Sequence, residues 1–231
     1  MGVSVVNPVL ATHPSCQRAC SEKDNRYTLP TISFYSVLSG DAVQIIKGRL
    51  QQESFVRSNF FDLRPPGISP SLLVIHNISL PPGEFGGNGI ASLFTGNLNP
   101  NDHPFYADIA HLRVSAHCVV SRDGSLVQYV NFNDRAWHAG VSVFQGQSNC
   151  NNFSIGIELE GTDTLPFSDA QYATLIPLSA AIMQHYPDIT LGRIVGHSDI
   201  AFGRKTDPGE AFDWCRYRQE LVEYRNNHGI N

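Results

Sequence analysis

Four apolar residues, Leu72-Leu73-Val74-Ile75, run straight into His76, and that junction constrains the chain more than any other feature. A run this short and this apolar has no polar side to present to water. It reads as a strand covered on both faces by other layers. Such a strand lies inside a sheet, with helices or packed loops on each side. His76 ends the run where side chains emerge at the rim of a sheet.

The neighbouring segments supply the rest of that architecture. Residues 114–120 and 126–130 flank Arg122-Asp123-Gly124, a strong hairpin signal. Residues 153–160 alternate, with Ile155, Ile157 and Leu159 on one face and Ser154, Gly156, Glu158 and Glu160 on the other. Ser168 opens a helix with Gln171 at the capping-box position. Tyr172, Leu175, Ile176, Ser179, Ile182, Met183 and Tyr186 continue it at helical spacing, and Pro177 is expected to kink or split it. Arg193-Ile194-Val195 is a short strand leading to His197. A last amphipathic helix starts near Glu210, with Phe212, Tyr217, Leu221 and Tyr224 inward. The pattern predicts an α/β fold: a single domain with a central mixed β-sheet flanked by helices. Residues 79–109, with Pro81-Pro82-Gly83 and glycines 86, 87, 89 and 96, read as a long Gly-rich loop, whose part 83–96 is either a plain loop or, the preferred reading, a movable lid over the cleft.

Composition narrows the function. With 231 residues, 42% of them hydrophobic and 16% charged, the chain can bury a sizeable core. A net charge of -5 with no basic block argues against nucleic acid or an anionic membrane as the main partner. No apolar run approaches the roughly 18 residues that span a bilayer. The five cysteines (Cys16, Cys20, Cys118, Cys150, Cys215) form no repeating framework, which reads as reduced thiols in a cytoplasmic protein. Residues 1–11 lack a positive n-region, and Asn7 and Pro8 break their apolar stretch, so no secretory signal is read. Residues 1–42 show no periodicity and are expected to be a poorly ordered extension or a mis-assigned start, with the domain at 43–231. Cys16 and Cys20, near His13, have no second ligand pair and do not read as a metal site.

His76, His197 and Asp207 have the donor types of a catalytic zinc site, which keeps three protein ligands and one open position. Two neutral imidazoles and one carboxylate leave the ion net positive, so it can bring a water's pKa to about 7. Nine histidines offer many chance trios, so context must decide. The bland alternative for His197 and Asp207 is a turn whose Asp caps the last helix. Glu158 and Glu160 share a strand face; either can be a base, or both can lie on a solvated face. His117, within a strand, reads as structural, and Trp137-His138 reads either as packing with a satisfied imidazole or as part of the site.

The context is specific. Val74-Ile75-His76-Asn77-Ile78-Ser79-Leu80-Pro81-Pro82-Gly83-Glu84-Phe85-Gly86-Gly87, His111-Leu112-Arg113-Val114-Ser115-Ala116-His117-Cys118, Arg135-Ala136-Trp137-His138-Ala139-Gly140, residues 154–161, and residues 196–209 follow one another in order. In these segments the chain, from about Gln44 onward, resembles AmpD-type N-acetylmuramoyl-L-alanine amidases, of the amidase_2/peptidoglycan-recognition fold. The resemblance implies one zinc ion on His76, His197 and Asp207, Glu158 as general base and Lys205 stabilising the oxyanion. It also implies substrate contacts from Asn77, Arg113, Trp137 and the backbone of Ala201. The implied substrate is the amide joining the lactyl group of a 1,6-anhydro-N-acetylmuramyl sugar to L-Ala of a stem peptide, cleaved by a cytoplasmic monomer during wall recycling. If residues 205–207 are extended, Lys205 and Asp207 point the same way. Two departures stand out: Gln147-Ser148-Asn149 lacks a family arginine before Cys150, and Phe202 replaces a proline after Ala201. The competing readings are a recognition module that binds peptidoglycan without cutting, and an envelope amidase acting on intact wall. Binding-only relatives typically lose a zinc ligand, and none is lost here.

Overall fold

The computed structural model describes residues 43–51 and 53–230. The expectations for residues 1–42, Cys16 and Cys20 included, lie outside these. In chain order the elements are β1 (Ile45–Ile46), β2 (Arg49–Leu50), β3 (Ser54–Phe55), β4 (Phe61–Leu63), β5 (Leu72–Ile78), α1 (Gly89–Thr95), α2 (Pro104–Ile109), β6 (Cys118–Val120), β7 (Leu126–Gln128), β8 (Asp134–Ala136), β9 (Val143–Phe144) and β10 (Gln147–Ser148). They continue with β11 (Ser154–Glu160), α3 (Asp169–His185), β12 (Ile194–Gly196), α4 (His197–Ile200) and α5 (Trp214–Asn227).

The apolar run is the second strand of a six-stranded sheet ordered β12-β5-β11-β6-β7-β3. β5 is parallel to both β12 and β11, and β11 is parallel to β6. The β6–β7 hairpin is antiparallel and β3 joins β7 in parallel, so the sheet is mixed as predicted. Alternation along each strand divides the side chains between two layers. Leu73 and Ile75 of β5, Ile155, Ile157 and Leu159 of β11, and Cys118 and Val120 of β6 pack with Leu175, Ile182, Tyr217 and Leu221 of α3 and α5. On the other face Val119 joins a second cluster with Ile90, Leu93 and Phe94 of α1 and Tyr106 of α2. Leu72 and Val74 meet Ala139, Cys150, Phe153 and Ile200 in a third.

Three local expectations need adjustment. α3 runs unbroken through Pro177; the burial of Leu175, Ile176 and Leu178 around it outweighs the roughly 3 kcal/mol a mid-helix proline costs. Its capping box is formed, with the Ser168 side chain accepting from Gln171 N. The last helix begins at Trp214, capped by Asp213, because Gly209 and its neighbours turn the chain first; Phe212 is still buried. Residues 79–109 are not one loop: α1 and α2 form within them and bury Ile90, Leu93, Phe94 and Tyr106. The open Gly-rich part is the exposed stretch 83–88. No helix among the described residues is long and apolar enough to cross a membrane.

Candidate metal centre

Strand register assembles the centre. In the β5–β11 pair Glu158 stands opposite His76 and Gly156 opposite Val74. Partners across a ladder point to the same side, so His76, Glu158, Gly156 and Ser154 share the face turned away from α3. β12 lies on the other flank of β5 and ends at Gly196, which delivers His197 as the first residue of α4. Asp207 comes from the loop after α4, which is tied back by Ser198 N donating to Asp207 O at 2.9 Å.

These three side chains converge. Nδ1 of His76 is 2.9 Å from Oδ2 of Asp207, Nδ1 of His197 is 3.1 Å from the same oxygen, and the two Nδ1 atoms are 3.1 Å apart. Donors at zinc–ligand distances on a tetrahedron stand about 3.3 Å from one another, so the triangle fits one small cation. The tautomers agree with that fit. His197 Nε2 lies 3.1 Å from the Ala139 carbonyl, which can accept its proton when Nδ1 serves as the ligand atom. Burial would raise the Asp207 carboxyl, but the His197 and His76 imidazoles override it and hold it well below the usual range. Burial also pushes His76 toward its neutral form, against the pull of Asp207. An ionised Asp207 and a His76 pushed toward neutrality are the forms that a metal needs.

Glu158 completes the arrangement. Its Oε1 is 3.9 Å from His76 Nδ1, and its Oε2 is buried without a hydrogen-bond partner. Burial and then the Asp207 charge push its carboxyl well above the usual carboxylate range, with Lys205 pulling it down. Glu160 is spent elsewhere: its oxygens accept from Gly86 N at 2.6 Å and Arg122 N at 3.0 Å. The face that carries both is buried rather than solvated. Geometry thus separates two glutamates that alternation leaves equivalent.

The comparisons with known proteins point the same way. A family model described as N-acetylmuramoyl-L-alanine amidase, Amidase_2, matches residues 66–210. The chain belongs to this amidase family. It is 62% identical over 163 residues to the 1,6-anhydro-N-acetylmuramyl-L-alanine amidase AmpD of Escherichia coli K12, covering 71% of this chain and 88% of that protein. Identity to the AmpD of Haemophilus influenzae is 57% over 173 residues, 75% of this chain and 94% of the relative. A crystal structure of an AmpD derivative superposes with a TM-score of 0.74 at 58% identity, covering 76% of this chain and 97% of that one. A complex of the Escherichia coli amidase AmiD with anhydro-N-acetylmuramic acid-L-Ala-D-gamma-Glu-L-Lys matches at a TM-score of 0.50 and 31% identity, over 68% and 60% of the two chains.

Around the candidate centre the other residues predicted from the sequence are placed unevenly. Lys205 is exposed, and its N–H donates to Ala201 O at 3.1 Å, closing the turn that precedes it. Its charge still reaches His76 and Glu158. Asn77 commits its Nδ2 to Asp163 at 2.7 Å and to Pro208 O at 3.1 Å. Ala201 donates its N–H to His197 O at 3.0 Å, and its carbonyl takes the amides of Arg204 and Lys205. Arg113 is exposed. Trp137 gives its indole N–H to Asp62 at 3.2 Å and walls a cleft of about 430 Å³ with Asp62, Arg135, Gly140, Asn149, Asn151 and Asn152. Asn149, which stands where the resemblance leads one to look for an arginine, is in that wall, and Arg135 is already paired with Asp62. Phe202 is 97% exposed, so it adds no packing to the loop that carries Lys205.

Sequence reasoning missed three residues here. Asp163 ties Asn77, next to one donor, to Thr206, next to another, through bonds of 2.7 and 2.6 Å. Arg204 binds the carbonyls of Ala139 and Val141. The buried Arg64 donates to the carbonyls of Phe132, Asn151, Asn152 and Ser154, and burial pulls its pKa down to about 10. Only contacts across long sequence separations reveal these roles. His117 is structural as expected: its Nδ1 accepts from Gly156 N at 3.0 Å.

Proposed function

We propose that this amidase is a cytoplasmic, zinc-dependent enzyme that hydrolyses the amide between 1,6-anhydro-N-acetylmuramic acid and L-Ala of the stem peptide in peptidoglycan recycling. The observation that carries the reading is the convergence of two imidazole nitrogens and one carboxylate oxygen beside a buried carboxylate with an unspent oxygen. The substrate follows from the relatives' names and from the anhydromuramyl peptide held by AmiD. His76, His197 and Asp207 would hold zinc, which supplies Lewis acidity toward the scissile carbonyl and toward water. Glu158 takes the proton of the attacking water at Oε2 and returns it to the departing amine of L-Ala. Its raised affinity for protons suits both halves of that exchange. Lys205 places positive charge where the carbonyl oxygen turns negative. Trp137 and the cleft beside it offer an apolar wall and several amide groups, the combination that a sugar or peptide surface needs.

The test has two stages. Metal analysis before and after chelation should find one zinc per chain, lost from Asp207→Ala. The zinc-loaded protein should then release an L-Ala-led peptide from purified anhydro-muropeptide. A zinc-loaded chain that binds this ligand without releasing peptide is a recognition module, and the catalytic reading fails.

A further inference from the structure

We propose that His138 is a positioning residue for the metal centre: its Nδ1 accepts the Nε2 proton of His76 and holds that ring with Nδ1 turned toward the ion. This inference rests on the zinc reading above. His76 Nε2 and His138 Nδ1 are 2.9 Å apart, and the two rings meet edge to face. If His76 coordinates through Nδ1, its one remaining proton is on Nε2. His138 Nδ1 must then be bare, which places the proton of that neutral ring on Nε2, 3.1 Å from Ser154 Oγ. Protons therefore point one way along His76, His138 and Ser154, and only one tautomer of each ring satisfies the chain.

The seat of His138 is built for this contact. Its backbone N–H donates to Asn151 Oδ1 at 3.2 Å, and the next amide, of Ala139, donates to the same oxygen at 2.8 Å. Beneath the ring lies Gly156 of β11, where a Cβ would come within 2.5 Å of His138 Cγ and Nδ1. Any larger residue would push the ring off His76.

The choice of an imidazole has a chemical consequence. Ligating histidines commonly donate their second N–H to a carboxylate, a carbonyl or water. A neutral imidazole fixes the tautomer without adding negative charge to a donor set that already contains Asp207. The cation then keeps more of its pull on the substrate.

The experiment measures zinc affinity of the full chain by competition with a chromophoric chelator. His138→Leu should weaken zinc binding about 10- to 100-fold, the usual cost of losing such a partner. His138→Asn should retain most of the affinity, because its Oδ1 stands near the lost Nδ1. Leucine equal to wild type, or asparagine as weak as leucine, overturns the proposal. A ¹⁵N-histidine NMR spectrum of zinc-loaded wild type gives an answer independent of any variant's folding. His138 should be protonated on Nε2 alone, and a proton on its Nδ1 overturns the relay. A wild type that takes up no zinc overturns the underlying function instead, a result distinct from all of these.

Discussion

At the scale of the residue, the division of labour between Glu158 and Glu160 is the sharpest claim. Glu158→Gln should keep zinc and lower kcat about 10²- to 10⁴-fold, the range for losing a general base. Glu160→Gln should do the reverse. It disturbs the acceptor of two backbone amides, so about 1–3 kcal/mol of stability should go while kcat of the folded fraction stays near wild type. Equal effects of both changes on kcat would refute the assignment. The pH profile offers a second check. Glu158 must be ionised to accept a proton, so activity should fall as pH drops through its titration in the zinc-loaded enzyme. Under saturating zinc this acid limb should be absent from the Glu158→Gln profile; a limb that persists there belongs to another group. Alternation alone placed both glutamates on one face, and it could go no further. What distinguishes them is the partners, Gly86 and Arg122, which arrive from distant segments.

At the scale of the element, legibility tracked length and periodicity. β5, β11 and α3 bury continuous or strictly periodic apolar sets, and the start of each was readable within a residue or two. α1 is a single short helix amid glycine and proline, too brief for its period to register against those breakers. The loop after α4 carries Lys205 and Asp207 and has no repeating pattern at all; its shape depends on what it touches. Gly209 shows how. It has φ of 83°, and a Cβ there would lie 2.1 Å from Asp163 Cα. Gly209→Ala should therefore cost at least about 1 kcal/mol in denaturant unfolding and weaken zinc uptake, because Asp207 shares the turn. An alanine variant of unchanged stability would mean that the loop adapts freely.

At the scale of the whole molecule, the donors belong to a central strand, a short helix and a late loop, so a cation there clamps parts that folding alone must otherwise hold. Zinc at 100 times its Kd should add about 2.7 kcal/mol. For a chain of this size that is about 5–11 °C in Tm, visible by calorimetry with zinc against excess chelator. Coincident melts would show that the donors hold no ion in solution. The mixed sheet and its helices were legible from the sequence because burial patterns report layers directly. The network around His138, Asp163 and Arg204 was not, since hydrogen bonds between distant polar groups leave no periodic trace. One consequence concerns biosynthesis. His76 precedes His197 by 121 residues and Asp207 by 131. A nascent polypeptide on the ribosome thus presents His76 without its partner donors while the next 121 residues are made, and the complete chelate exists only after Asp207 has emerged.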